Sequence, residues 1–226
     1  MAEWREGDAM RRAATAVAVL AVLAALMCGA GVALAAPAGA GQAGGPAQAA
    51  ADQALIIIDI QNFYFEGRSV PLTGPVEAAR QARRVLDRFR ERRLPVVHIR
   101  HMPASGPATD QYAIRPEVAP IAGEKVIEKR YANSFRDTSL LEALRGLGVR
   151  RVVIAGMQTH MCVEAAARAA ADLGFEVTVV ADACATRPLE YGGVKVPADQ
   201  VHASTLAALK GTYAKIVTAD ELLNAR

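Results

Sequence analysis

The hydrophobic positions of the chain form short runs that alternate with amphipathic segments. The run Leu55-Ile56-Ile57-Ile58 has no polar alternation, which is typical of a strand buried on both faces. Runs of this kind predict six strands, at residues 55–58, 96–99, 125–128, 151–155, 176–180 and 215–217.

Between these runs, apolar residues recur at helical spacing. Ala79, Ala82 and Leu86 are three or four residues apart, and charged residues occupy the other face of that segment. Such spacing predicts helices at residues 76–92, 140–147, 160–173 and 198–210. Alternating strands and helices indicate βαβ units. The prediction is an α/β domain whose doubly wound, mostly parallel six-stranded sheet has helices on both faces, a Rossmann-like three-layer fold.

The N-terminal segment has a different character. The chain is 52% hydrophobic, yet residues 13–36 carry no charge; they follow Arg11-Arg12 and include an A-x-A site at Ala33-Leu34-Ala35. This layout predicts a signal peptide at residues 1–35, which would export the protein to the periplasm or the medium. The alternative is an uncleaved signal anchor that tethers the protein to the membrane.

The remaining chain divides into a linker and one folded unit. Residues 36–53 are Ala, Gly, Pro and Gln with a single charge, which indicates a flexible linker. The folded domain is predicted at residues 54–226.

The charge balance argues against a polyanionic partner. The chain has 26 basic and 23 acidic residues and a net charge of +3. A dedicated nucleic-acid binder would be strongly basic. We therefore expect a small-molecule substrate, no nucleic acid, and no membrane partner once the signal is removed.

Three chemically useful side chains follow three predicted strands: Asp59, Lys129 and Cys162. Ligands of such sheets bind outside the carboxyl ends of the strands, so these side chains are expected to meet at one edge. Each has an ordinary interpretation when taken alone, as a cap, a surface charge and a small core residue. Together they compose a thiol, its base and a positive charge.

A helix N-terminus and a nearby cation lower the pKa of a thiol from its usual value near 8.5. Cys162 is predicted in the first turn of its helix, with Thr159 as N-cap. Asp59 would accept the thiol proton, and backbone N–H groups of residues 156–162 would bind an oxyanion. This arrangement suits attack on an amide carbonyl and hydrolysis of the resulting thioester.

The sequence also resembles a known family. The stretches IIIDIQNFYF, VIEKRYANSF and VVIAGMQTHMCVEAAARAAADLGFEVTVVADACAT are similar to the cysteine hydrolases of the isochorismatase-like superfamily, which include nicotinamidase and N-carbamoylsarcosine amidase. The resemblance covers nearly all of residues 54–222. Its specific element is G-x-x-T-x-x-C-V, at Gly156, Thr159, Cys162 and Val163.

The resemblance implies roles for particular residues. Asp59, Lys129 and Cys162 would be the catalytic triad. A cis peptide bond would join Met157 to Gln158, and the N–H groups of Gln158 and Cys162 would form the oxyanion hole. The resemblance further implies a homodimer or a larger homo-oligomer.

Departures from the family pattern narrow the chemistry. Members that cleave the vinyl ether isochorismate typically lack the cysteine, so Cys162 points to carbon–nitrogen hydrolysis. The nicotinamidase branch binds a metal through an Asp-x-His element after the second strand, where this chain has His98 and His101. Residues three apart in a strand face opposite sides. We therefore expect neither a metal nor another cofactor.

Four further residues are candidates for the substrate pocket: Phe63, Phe65, Tyr131 and His160. Phe63 stands where the family often has an acidic residue. For the aromatic residues, core packing under the sheet edge is an equal alternative. His160 neighbours the nucleophile, but it could also be a solvent-facing residue at the start of a helix.

Other interpretations remain open from sequence. Cys184 is either a small buried residue or a disulfide partner of Cys162. The leading hypothesis is a cysteine-dependent hydrolase of a small amide or ureide. The alternatives are a nicotinamidase-type or isochorismatase-type hydrolase, and a redox-responsive protein that has the fold without the turnover.

Overall fold

The computed structural model describes residues 52–225. The predicted signal peptide, its anchor alternative and nearly all of the predicted linker lie outside the described residues. The first strand, β1, spans Gln53–Ile58 and begins one residue before the predicted start of the domain. None of the described helices is long and apolar enough to cross a membrane.

The central sheet contains the six predicted strands, which are β1, β2 (Val96–His101), β3 (Lys125–Lys129), β4 (Arg151–Met157), β5 (Glu176–Ala185) and β8 (Lys215–Val217). All six are parallel, in the order β3-β2-β1-β4-β5-β8. Both β4 and β5 extend past their predicted ends, to the edge where the candidate site lies.

Helices cover both faces of the sheet, as predicted. The described helices are α1 (Pro75–Glu91), α2 (Leu140–Gly146), α3 (Glu164–Asp172), α4 (Ala198–Leu209) and α5 (Ala219–Asn224). Side chains alternate along β1, so Leu55 and Ile57 pack with α1 and α5, whereas Ile56 and Ile58 pack with the other three helices. Both cores are continuous, which fixes the register of β1 at the centre of the sheet.

A hairpin of two strands and a C-terminal helix were not predicted from the sequence. Strands β6 (Leu189–Tyr191) and β7 (Val194–Val196) form an antiparallel hairpin, and Gly192 and Gly193 both have positive φ at its tip. A two-residue turn of this kind favours glycine at both positions. The last helix, α5, begins with a capping box between Thr218 and Glu221.

A partly buried ionic cluster lies away from the candidate site and links α1 to the loop that precedes β3. Glu124 accepts two hydrogen bonds from Arg90, at 2.7 and 2.8 Å, and one from the N–H of Ile121 at 3.0 Å. His98 Nε2 lies 2.9 Å from the same carboxylate. The side chain of His98 therefore belongs to this cluster and not to the candidate site.

Candidate active site

The carboxyl ends of three neighbouring strands supply the centre of the site. Asp59 follows β1 directly, His101 is the last residue of β2, and Lys129 is the last residue of β3. Asp59 and Lys129 are buried, and His101 is half-buried. Asp59 has a φ of 51°, a left-handed conformation that turns the chain at the end of β1.

The ammonium of Lys129 joins these groups to Cys162. Its Nζ lies 2.7 Å from Asp59 Oδ2 and 3.2 Å from Cys162 Sγ. It also donates to the carbonyl of Tyr131 at 3.1 Å and lies 3.4 Å from His101 Nδ1. The three residues predicted from sequence therefore meet, and the pairing between Lys129 and Asp59 is primarily ionic, because the Asp59 oxygens accept no well-directed hydrogen bond within residues 52–225.

The backbone of β4 lies unusually close to β1 just before the turn that carries Cys162. Gly156 has a φ of 147°, and a Cβ atom at this position would lie 2.1 Å from the carbonyl oxygen of Ile58. Only glycine fits such an approach. The peptide bond that follows, between Met157 and Gln158, is cis, as the resemblance implied.

Cys162 lies in a π-helical turn, Thr159–Val163, that precedes α3. The residue that caps this turn is Gln158, so the prediction of Thr159 as N-cap was wrong. The turn starts one residue earlier than helical spacing indicates, and the hydroxyl of Thr159 instead hydrogen-bonds His202 Nδ1 of α4 at 2.9 Å.

Burial dominates the electrostatics of the three groups. Burial and, to a smaller extent, the charge of Asp59 raise the pKa of the Cys162 thiol, Lys129 opposes them, and the result is a pKa of about 12. Burial also raises the pKa of Asp59 above its ordinary value of 3.8. For Lys129, burial lowers the pKa, but the charges of Asp59 and Cys162 outweigh that effect and raise it. The resting site therefore holds an ammonium and a protonated thiol.

A polar network that sequence reasoning missed lies beside the nucleophile turn. Arg187 Nε donates to Gln158 Oε1 at 3.2 Å, and Gln158 Nε2 donates to the hydroxyl of Tyr64 at 3.4 Å. Burial holds the pKa of Tyr64 well above its usual value, so the phenol keeps its proton. Arg187 is half-buried and pairs with no carboxylate among residues 52–225.

Gln61, also missed, holds the chain in place around the site. Its buried side chain accepts from the N–H of His101 at 2.7 Å and donates to the carbonyl groups of His101 and Tyr112 at 3.0 and 2.7 Å. The signal available in the sequence was a polar residue three positions after the end of a buried strand.

The pocket candidates have different surroundings. Phe63 packs against Tyr64 and Tyr112, with ring centroids 4.2 and 5.4 Å apart, and Phe65 lies beneath the guanidinium of Arg115. Their described contacts are therefore packing contacts.

Tyr131 and His160 lie nearer to the surface. Tyr131 is exposed and stacks with Arg136. His160 is half-buried, and its Nδ1 forms a hydrogen bond with the Thr186 hydroxyl at 2.5 Å. A cavity of about 130 Å³ beside Lys129 is lined by Met102, Tyr131 and Arg136, among others.

The two histidines of β2 diverge, as their spacing predicted. His98 binds Glu124, and only His101 reaches the site. Ligand atoms of Asp59, His101 and Cys162 all lie within 4.8 Å of one another. Because the Lys129 ammonium already contacts all three groups, we do not identify them as metal ligands.

Both described cysteines are free thiols. Cys184 pairs with Gly156 across β4 and β5 and is buried. Its surroundings match the interpretation of a small core residue.

Comparison with known proteins places the chain in a family. The isochorismatase domain model matches residues 53–221, and the chain belongs to this family of hydrolases. The uncharacterized isochorismatase family protein YddQ of Bacillus subtilis is 40% identical over 176 residues, which cover 75% of this chain and 98% of that protein.

Two further relatives bear on fold and chemistry. The crystal structure of a proposed isochorismatase hydrolase from Oleispira antarctica is 46% identical with a TM-score of 0.74, covering 77% of this chain and 97% of that one. Maleamate amidohydrolase of Pseudomonas putida is 30% identical over 190 residues, which cover 75% of this chain and 84% of that enzyme.

Proposed function

We propose that the protein is a cysteine-dependent hydrolase that cleaves a carbon–nitrogen bond of a small amide or ureide through a thioester. The observation that supports this proposal most directly is the position of the Lys129 ammonium, 2.7 Å from the Asp59 carboxylate and 3.2 Å from the Cys162 thiol. A relative that is an amidohydrolase supports the same bond type.

The charge of the cluster explains how a buried thiol becomes a nucleophile. Transfer of the thiol proton to Asp59 turns a carboxylate and a thiol into a carboxylic acid and a thiolate. One negative charge is present before and after, and the Lys129 ammonium contacts both groups that bear it. The transfer therefore adds no charge to the buried site. An additional buried charge would be costly there. Burial that raises the pKa of Asp59 makes this carboxylate a better base near neutral pH.

The reaction then follows in two balanced halves. The thiolate attacks the amide carbon, and the N–H groups of Gln158 and Cys162 stabilise the oxyanion. Collapse of this intermediate breaks the C–N bond while the Asp59 acid protonates the leaving nitrogen, which leaves a thioester and a carboxylate. Asp59 next takes a proton from water, the hydroxide attacks the thioester, and the released thiolate recovers that proton.

The unpaired cation beside this centre favours an anionic substrate. Arg187 donates one N–H to Gln158 and keeps the rest of its guanidinium free of carboxylate partners among the described residues. A guanidinium binds a carboxylate with two parallel hydrogen bonds. The substrate class we propose is a small amide or ureide that also bears a carboxylate.

A release assay tests this function. Purified protein is incubated with a panel of small amides and ureides, with and without a carboxylate, and ammonia is measured. Cys162→Ala should abolish release without loss of the folded state, whereas Cys184→Ala, the matched change at the other described thiol, should retain it. Turnover in Cys162→Ala at the wild-type rate would rule out the cysteine mechanism.

Export is a separate proposal. The uncharged segment at residues 13–36 and the A-x-A site support removal of residues 1–35 by a signal peptidase. N-terminal sequencing of the protein from a cell that exports it should begin at Ala36; an intact N-terminus in the membrane fraction would indicate the anchor instead.

Self-association is likewise a proposal that rests on the resemblance. A homodimer or larger homo-oligomer is expected. Light scattering coupled to size-exclusion chromatography measures the mass directly, and a monomer at micromolar concentration would contradict it.

A further inference from the structure

His101 and Lys129 are direct partners across β2 and β3, at the carboxyl ends of the two strands. The imidazole Nδ1 lies 3.4 Å from the lysine Nζ. A ring nitrogen of His101 is also within 4.8 Å of the Cys162 thiol and of the Asp59 carboxylate. The imidazole is therefore a fourth member of the cluster, and the mechanism above leaves it without a role.

Hydrogen bonds fix the backbone that carries this ring. The side chain of Gln61 binds both the N–H and the carbonyl of His101, at 2.7 and 3.0 Å. The N–H of the next residue, Met102, donates to the carbonyl of Lys129 at 2.8 Å. These bonds hold the end of β2 against Lys129, so the Cα of His101 stays at a place from which its imidazole reaches the ammonium.

The acceptors around the ammonium fall into two kinds. Asp59 and Cys162 exchange a proton during the reaction, so their charges change. The carbonyl of Tyr131 and the imidazole of His101 are neutral acceptors that do not take part in that exchange. An acceptor role requires a lone pair on Nδ1, which means the neutral ring with its proton on Nε2. A lysine has a long, flexible side chain, and fixed acceptors are needed to keep its Nζ at one point.

We propose that His101 is a positioning residue: its Nδ1 accepts a hydrogen bond from Lys129 and keeps the ammonium between Asp59 and Cys162 while the proton passes between them. This role rests on the proposed function of the three groups. The imidazole acts through Lys129 and does not touch the substrate.

Two substitutions of His101 distinguish the loss of its hydrogen-bond acceptor from the loss of its side-chain packing. His101→Asn puts an amide oxygen close to the place of Nδ1, whereas His101→Phe retains a ring of similar size without an acceptor. We expect His101→Phe to lower kcat about tenfold with KM changed less than about twofold, the effect of losing one hydrogen bond to a charged group. His101→Asn should stay within about threefold of the wild-type kcat, since the acceptor is retained. Arg100→Gln, one residue earlier on the same strand, should match the wild type.

A second measurement needs no substrate. The rate at which iodoacetamide labels Cys162 reports how well Lys129 stabilises the thiolate. Labelling at neutral pH should slow about fivefold in His101→Phe and recover in His101→Asn, because the cation that favours the thiolate is displaced and then restored. Mass spectrometry distinguishes Cys162 from Cys184.

The proposal requires both losses in His101→Phe and both recoveries in His101→Asn, and any other pattern among folded variants overturns it. His101→Ala replaces the Phe variant if thermal melting shows the latter to be unfolded. Activity retained by Cys162→Ala would instead defeat the proposed function itself. An inactive Cys162→Ala combined with a wild-type-like His101→Phe would defeat only the role of His101.

Discussion

Lys129 Nζ lies 2.7 Å from Asp59 Oδ2, and both side chains are completely buried. A buried ion pair contributes little net stability by itself, but removal of one partner leaves an uncompensated charge. In the proposed mechanism, the role of this pair is to move the proton of the neighbouring thiol.

Asp59→Asn should therefore separate thiol reactivity from turnover. The negative charge of Asp59 raises the pKa of Cys162, so its removal lowers that pKa, and iodoacetamide should label Cys162 faster near neutral pH. Turnover should nevertheless fall at least about a thousandfold, because the leaving nitrogen has no acid to protonate it. Labelling kinetics and ammonia release on the same preparation check both directions. Slower labelling in this variant would contradict the assigned electrostatics.

Arg187→Gln tests the anionic substrate. For substrates that bear a carboxylate, KM should rise by about ten- to a hundredfold, which corresponds to the loss of a charge-assisted bidentate pair. For neutral amides of similar size KM should hardly change. Arg187→Lys, which retains the charge without the planar fork, should fall between the two. The same loss for neutral and anionic substrates would show that Arg187 supports Gln158 and does not select the substrate.

Gly156→Ala should damage the fold at the site. Its Cβ would approach the Ile58 carbonyl to 2.1 Å, and the φ of 147° is unfavourable for any residue with a side chain. We expect the free energy of unfolding to drop by about 3 kcal/mol or more. Gly146→Ala provides the control, because nothing lies within 4 Å of the added atom at the end of α2. Urea denaturation of both variants measures the difference, and equal stabilities would refute the close approach.

Glu124→Gln should destabilise the protein in a pH-dependent way. Burial raises the pKa of Glu124, but the hydrogen bonds from Arg90 and Ile121 outweigh this and lower it from 4.5 to about 2. A carboxyl whose pKa is depressed in the folded state stabilises the fold above its unfolded pKa.

The destabilisation should accordingly be about 2 kcal/mol at neutral pH, where a partly buried network of charged hydrogen bonds is broken. It should shrink as the pH falls from about 4.5 toward 2, since the wild-type carboxylate then becomes protonated as well. Chemical denaturation at several pH values provides the test. A difference that stays constant below pH 4 would argue against a depressed pKa.

The sequence alone determined the architecture and the centre of the site. Buried strands are recognisable as β-branched runs, and parallel strands present their carboxyl ends at one edge. Such a run ends at or shortly before Asp59, Lys129 and Cys162, so the sequence predicts that these three side chains lie close together. The cis peptide at Gln158 came from the resemblance and is confirmed.

Only the tertiary structure decided what surrounds that centre. Arg187 and Tyr64 lie far apart along the chain and meet through one glutamine side chain, and Gln61 reaches across 40 residues to His101. These contacts depend on side-chain direction and on the exact ends of strands, which run past their predicted limits at β4 and β5. Periodicity predicts which face of an element is buried, because burial is a property of the pattern. It does not predict which polar groups become partners, because hydrogen bonds require positions that only the packed chain defines.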